Sequence, residues 1–295
     1  MYKTIVNGNT KTYKKCSYSK TGLENKCESA LERNINGADG IYYFYKIKEI
    51  NYLSSTNDDK YLCNEVICAW LLAKEPQGEE RIRRFNKIQQ ITRNNSYIVG
   101  HDGKQKNPDS PRKEEITAKT ELFKNNYKYI GQICDYQVPL KDYYRETEER
   151  DGTGRIDLLS VNEDESMVHL IELKKKDSKE TMLRCVLESY TYYKLLNKER
   201  MLNDMKKNDL LNKEVYKYRI MVSPLVFEGS QPYREMQEME IYRPQLQSLI
   251  SSLNENEHAY DNKNNKQFFG GIEPFYLSEN NGKYICSSFR KQEVM

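Results

Sequence analysis

The sequence predicts an α/β sandwich, a single sheet with helices packed against it. Three observations carry this. Three apolar runs, ICDYQVPL, RIDLLSV and VHLIELK, follow one another between residues 133 and 174, separated by polar, turn-forming stretches. A mixed apolar and charged stretch with helical spacing occupies 178–198. A fourth apolar run, VYKYRIMV, comes after it at 215–222, where a helical crossover would return the chain to a strand parallel to the third.

Taken in order, apolar residues at helical spacing predict a helix over 64–74, and a basic run predicts a second over 81–91. Residues 101–112, rich in Gly, Pro, Asp and Lys, read as a loop and a boundary. A helix over 113–125 opens the α/β core. Strands at 133–140, 155–161 and 168–174 follow, the first two joined by a charged loop that ends Gly-Thr-Gly, the last two by the acidic turn NEDES. Asp177, with Glu180 three residues on, has the spacing to cap the long helix. The strand at 215–222 should stop at Ser223-Pro224, since proline lacks the N–H that a sheet ladder needs. A helix over 244–253 and short strands around Phe275 and Tyr284 complete the chain. This gives a mixed, partly helical region at 1–110, a core at 111–228, and an extension at 229–295 that packs on the core.

The chain has 295 residues, of which 37% are hydrophobic and 31% charged, with a net charge of +3. So balanced a charge gives no global footprint for nucleic acid, and any such case must be local. The 24 tyrosines supply apolar area that a chain short of Leu and Val would otherwise lack. No run approaches the roughly 18 to 20 apolar residues that a membrane span needs, and the first residues lack the apolar core of a signal peptide. The expectation is a soluble, cytoplasmic protein with no membrane partner. The seven cysteines are scattered and include no Cys-x-x-Cys pair, so they read as reduced thiols packed as small hydrophobes.

Strand parity sets out the chemistry. Alternate residues of VHLIELK share a face, so Glu172 and Lys174 point together while Ile171 and Leu173 point the other way. Asp157, flanked by Ile156 and Leu158, can sit beside Glu172 if the two strands pair. Carboxylates buried in apolar strands must be paired, protonated or bound to metal, and two side by side repel unless a cation lies between them. A hard divalent ion resolves this, and it polarises a phosphate and acidifies a bound water. Lys174 can hold that water and offset transition-state charge. The competing reading is an exposed Glu-x-Lys ion pair, which leaves the neighbouring Asp157 unexplained.

The runs GRIDLLSV and VHLIELKK, followed by a helix containing LESYTYY, resemble the PD-(D/E)xK nuclease superfamily over about residues 113–225. The resemblance implies a restriction-endonuclease-like core of helix, three strands, helix and strand. It implies a nuclease, an enzyme hydrolysing phosphodiester bonds of nucleic acid, of DNA first, with Mg²⁺ or Mn²⁺ as cofactor. By position, Asp157 matches the metal-binding Asp, Glu172 the acid of the E-x-K element and Lys174 its lysine, and the carbonyl of Leu173 would be a further ligand. Arg155-Ile156-Asp157 stands where the family name has Pro-Asp. Glu188-x-x-x-Tyr192 is similar to the Gln-x-x-x-Tyr element of RecB-like members, with Glu replacing Gln. Many members carry another acid on the helix before the first strand; Glu114, Glu115 and Glu121 are candidates here, and Glu121 is preferred.

On the long helix, Glu180, Arg184, Glu188 and Tyr192 fall at successive four-residue steps, with Leu183, Val186, Leu187 and Tyr190 as the buried side. Lys175, Lys176, Arg184 and Tyr192 are candidate nucleic-acid contacts, the lysines through phosphates. His169 points away from Glu172 and reads as structural; His101 and His258 lie in polar stretches with no partner in view. No phosphate-binding Gly-x-x-x-x-Gly-Lys loop occurs. The alternative on the same fold is a catalytically silent nucleic-acid-binding protein, and the flanking regions leave room for a homo-oligomer.

Overall fold

The computed structural model describes residues 2–6, 9–13, 17–33, 40–54, 56, 62–103, 119, 121–142, 154–239, 243–264 and 267–289. Of the predicted helix over 113–125 the structure describes 119 and 121–125: residues 119, 121 and 122 are helical, 123 and 124 form a turn with Lys124 at φ 65°, and the helix ends at Leu122 rather than at 125; its remaining residues, the predicted boundary beyond 103 and the charged loop 143–153 lie outside the described residues.

The chain opens with a hairpin, β1 (Tyr2–Val6) and β2 (Asn9–Tyr13). Helix α1 (Lys20–Leu31) is capped by Ser19, whose hydroxyl accepts from the N–H of Gly22. Two 3₁₀ segments, Gly40–Lys46 and Lys48–Asn51, lead to α2 (Cys63–Leu72). The basic run predicted as an α-helix over 81–91 is instead 3₁₀, over Arg81–Lys87. Extended residues bound it at Glu80 and Ile88, so it is too short to repay α-helix nucleation. Its side chains serve the preceding helix: Arg81 donates to the carbonyls of Trp70 and Lys74, and Arg84 pairs with Glu75 at 2.8 Å.

The sheet follows. Strands β3 (Asn126–Tyr127), β4 (Gly131–Pro139), β5 (Arg155–Asn162) and β6 (Met167–Lys174) pair antiparallel in sequence order. Helices α3 (Met182–Leu195) and α4 (Lys198–Lys207) then cross over to β7 (Arg219–Phe227), which pairs parallel to β6. After α5 (Gln231–Gln237) and α6 (Pro244–Lys263), strands β8 (Phe269–Ile272), β9 (Phe275–Asn280) and β10 (Lys283–Ser288) finish the sheet. The order is β10-β9-β7-β6-β5-β4-β3, with β8 also on β7. The fold is mixed α/β with a nearly closed sheet: the end strands approach until Tyr127 of β3 feels Tyr284 and Cys286 of β10. Gly131 is at φ 71°, and a Cβ there would lie 1.9 Å from the carbonyl oxygen of Val161, so β4 needs glycine where it turns in beside β5.

Apolar residues fill both faces of the sheet. On one face Val138, Leu159, Val168, Leu170, Ile220 and Val222 join α3 in the larger cluster. That cluster also takes in Phe44, Trp70 and Phe85 from the first hundred residues and Leu249 from α6. Leu158, Ile171, Leu173, Leu225 and Phe275 fill the inside of the curl.

Two predicted boundaries are corrected. The long helix starts at Met182, and its cap is Thr181, whose hydroxyl accepts from the N–H of Arg184, rather than Asp177. Thr181 also donates to the carbonyl of Ile50 at 2.9 Å, so a tertiary contact fixes the cap. Strand β7 runs through Ser223-Pro224 to Phe227. On this strand Ile220 donates to the carbonyl of Phe268 and Glu228 to that of Leu277, both on the β8 and β9 side. Pro224 shares their parity and faces the same side. There β8 pairs with β7 only as far as Val222 and β9 begins at Leu225, so the missing N–H falls in the gap between partners.

Among the described residues no helix is long and apolar enough to cross a membrane. The six described cysteines are free, five of them buried, as expected of packed thiols.

Candidate active site

The sheet itself makes the site. The last paired residues of β5 and β6 are Leu158 and Ile171. Beyond them β5 stays with β4 through Ile156 and Arg155, while β6 stays with β7 through Glu172, Leu173 and Lys174. The two central strands splay apart, and the first residues on either side of the opening are Asp157 and Glu172. Asp157 Oδ2 accepts the N–H of Leu173 at 2.9 Å, so a carboxylate replaces the ladder where the ladder ends.

Glu172 and Lys174 share the parity of Val168 and Leu170 and so face α3. Lys174 Nζ donates to Glu172 Oε1 at 2.7 Å and Glu188 Oε2 at 3.1 Å, and lies 2.6 Å from Glu180 Oε2. Glu188 also accepts from Arg184 Nε at 3.2 Å and from the Tyr192 hydroxyl at 3.0 Å. The predicted stripe on α3 is therefore turned inward. Tyr192 is 5% exposed and holds Glu188, which removes it from the nucleic-acid surface predicted for it. Arg184 likewise pairs inward, its guanidinium 4.9 Å from the Tyr45 ring centre.

Electrostatics follow from burial and crowding. Burial raises the Glu172 carboxyl well above its usual value, and the charges of Asp157 and Glu188 add to that. Burial also raises Asp157, against the pull of Lys119 and Lys174. Burial works in the same direction on Glu188, but Lys174 and Arg184 overcome it and hold that carboxyl at about 2. Glu188 is thus an ionised anchor, and Glu172 is the acid whose charge lacks a sufficient counter-charge. The ammonium of Lys174, penalised by burial, is nonetheless raised by Glu172 and Glu188 and stays protonated.

Not every predicted residue joins. Glu121 is exposed, and its carbonyl accepts from the side chain of Asn125; the structure does not bring it to the cluster. Lys176 is exposed, and Lys175 pairs with Asp177 at 3.5 Å beyond the strand end. Glu114 and Glu115 lie outside the described residues. His169 is buried against the Ser223 hydroxyl at 2.9 Å, and burial lowers its pKa to about 3, which fits a structural histidine. His101 has a partner after all: its Nδ1 lies 2.6 Å from Asp135 Oδ1.

Sequence reasoning missed four contributors. Lys119, 1% exposed, donates to Asp157 Oδ1 at 2.5 Å. Its signal was present in the sequence: Ile116, Lys119, Leu122 and Phe123 fall at helical spacing, which sets this lysine in an apolar pattern that Glu121 does not share. Gln137 lies opposite Asp157 on β4 with φ at 51° and donates its amide to Oδ1 at 3.4 Å. A non-glycine residue in the left-handed region inside a strand is strain of the kind found at functional sites. Tyr45 packs edge-on against Tyr192 at 5.9 Å, and Lys46 feels both Glu188 and Arg184. No local signal connects residues 45 and 46 to a helix so distant in sequence. The glycine before RIDLLSV also acquires a reason: a Cβ on Gly154 would meet the Tyr192 hydroxyl at 1.8 Å.

Among the described residues no group of three or more His, Cys, Asp and Glu side chains converges as a metal site. The donors at hand are two carboxylates and the Leu173 carbonyl, with Glu188 committed to Lys174, Arg184 and Tyr192. No family model, curated protein or solved structure matches this chain.

Proposed function

We propose that this chain is a metal-dependent nuclease acting on DNA, built on a restriction-endonuclease-like core. The observation that carries the reading is the placement of Asp157 and Glu172. They are the first residues beyond the β5–β6 ladder, buried, mutually repelling, and accompanied by a lysine two residues on. Buried acids crowded in this way mark sites where a cation or proton is handled. The order of three antiparallel strands, crossover helices and a parallel strand supports the same reading.

The donor set fits a hard divalent ion: carboxylate oxygens of Asp157 and Glu172 and the carbonyl of Leu173, with charge in need of a cation. Such an ion, when bound, polarises a scissile phosphate and lowers the pKa of a water. The protein's own residues do the rest. Glu188 holds Lys174, and Arg184 and Tyr192 hold Glu188, so the ammonium stands beside Glu172 in a fixed place. There it can orient an attacking water and balance charge that develops on a phosphate. Tyr45 and Gly154 close over Tyr192 and keep this assembly packed.

The test is cleavage of linear, circular and single-stranded DNA with Mg²⁺, Mn²⁺ or EDTA, by wild type and by Asp157→Ala and Lys174→Ala. Metal-dependent cleavage lost in both variants is expected. Retained cleavage in the variants, or DNA binding without any cleavage by wild type, would sink the reading; the second result would favour the silent binding protein.

A further inference from the structure

We propose that Lys119 is a built-in competitor for the metal: in the metal-free protein its ammonium occupies Asp157 Oδ1, and a divalent ion must displace it, so that this lysine sets the ion's affinity. The inference rests on the metal-dependent reading above.

Three observations lead there. The first is the allocation of Asp157's oxygens. Oδ2 accepts the Leu173 N–H at 2.9 Å, and Oδ1 faces the cation: Lys119 Nζ lies 2.5 Å from it, with the Gln137 amide a longer, neutral contact at 3.4 Å. A divalent ion would bind that oxygen at roughly 2.1 Å, so an ammonium already in contact there and an ion cannot share it closely. The second is the supply of charge. Lys174 serves Glu172, Glu180 and Glu188, and among the described residues Lys119 is the cation in direct contact with Asp157. The third is burial: Lys119 is 1% exposed and Asp157 8%, so the pair is held out of water, where it is hard to replace with solvent. A lysine's flexible four-carbon stem can swing its ammonium aside while the backbone stays in place.

An ordinary structural ion pair has no reason to oppose a metal; a competitor does. The measurement is Mn²⁺ affinity of the full chain by titration calorimetry, for wild type, Lys119→Met, Lys119→Gln and Lys119→Arg, with melting curves in EDTA and in saturating Mn²⁺. Lys119→Met and Lys119→Gln should bind Mn²⁺ about tenfold more tightly than wild type. Both should melt lower than wild type in EDTA and recover in Mn²⁺, and Lys119→Arg should keep the weak affinity. The glutamine variant keeps a hydrogen-bond donor and serves if the methionine variant does not fold. Equal or weaker Mn²⁺ affinity without Lys119, with wild type binding, overturns this proposal and leaves the metal-dependent reading intact. Absence of binding in wild type and all variants overturns both.

Discussion

The two ends of helix α3 both bury charge, and they do so differently. Toward its C-terminus, Lys194 donates to Glu257 at 2.7 Å and the Tyr190 hydroxyl donates to the same carboxylate at 2.6 Å. Lys194 is 3% exposed and Glu257 1%, with one cation for one anion. Toward its N-terminus, Glu172, Glu180 and Glu188 all reach the single ammonium of Lys174, with Asp157 close by. Both lysines are buried; what differs is the crowding of like charge around them. A paired, closed set is a device for joining α3 to α6. The acid-rich set holds four carboxylates, Asp157, Glu172, Glu180 and Glu188, against Lys119, Lys174 and Arg184, and on the metal-dependent reading it is this surplus that a bound cation answers. Buried charge by itself therefore does not mark a candidate site; an excess of one sign does.

Exchanging each lysine breaks or sharpens this contrast. On the nuclease reading proposed above, Lys174→Met should lower metal-dependent cleavage per folded molecule by about two to three orders of magnitude, measured as initial rate against active concentration. Lys194→Met should leave that rate unchanged but cost about 3 to 5 kcal/mol of stability, because Glu257 stays buried without its cation; denaturant unfolding reads this directly. Saturating Mn²⁺ should raise the melting temperature of Lys174→Met by more than it raises that of wild type, because the ion takes the place of the lost cation, and should raise that of Lys194→Met, whose acid-rich set is intact, only by the wild-type increment. Equal increments in the two variants would end the distinction between the two ends.

A smaller effect comes from Glu235 on α5, which accepts the N–H of Met182 at the start of α3 and the amide of Asn64 at 3.2 Å. Burial raises its carboxyl to about 7 from an unfolded value near 4.5. The folded state therefore holds a proton between these values that the unfolded chain has released. Stability from this group is present below about pH 4.5 and is lost as pH rises to about 7, by roughly 3 kcal/mol in all. Glu235→Gln should flatten that segment of the stability–pH curve. An unchanged slope between about pH 5 and 7 would mean that this carboxyl is not the titrating group.

Much of this was legible in the sequence because it is local. The runs ICDYQVPL, RIDLLSV and VHLIELK became β4, β5 and β6 to within about two residues, and strand parity put Glu172 and Lys174 on one shared face, which the structure turns toward α3. What escaped depends on partners distant in the chain. Thr181 caps α3 because the carbonyl of Ile50 anchors it, which no spacing of acids near 177 could reveal. Pro224 stopped the predicted strand because proline is read as lacking a donor, whereas the neighbouring strand has a gap at that step. Lys119 was passed over because an acid was sought on its helix, although its place on the apolar stripe set it apart.

That proline has a consequence for how the sheet finds its alignment. Sliding β8 forward, or β9 back, along β7 by two residues would require an amide hydrogen from position 224, and there is none to give. A one-residue slide is barred separately, since it would turn Phe275 and Leu277 out of the curl. The outer half of the sheet thus carries a notch that accepts β8 and β9 only in their native places, a keyed joint cut by a single ring.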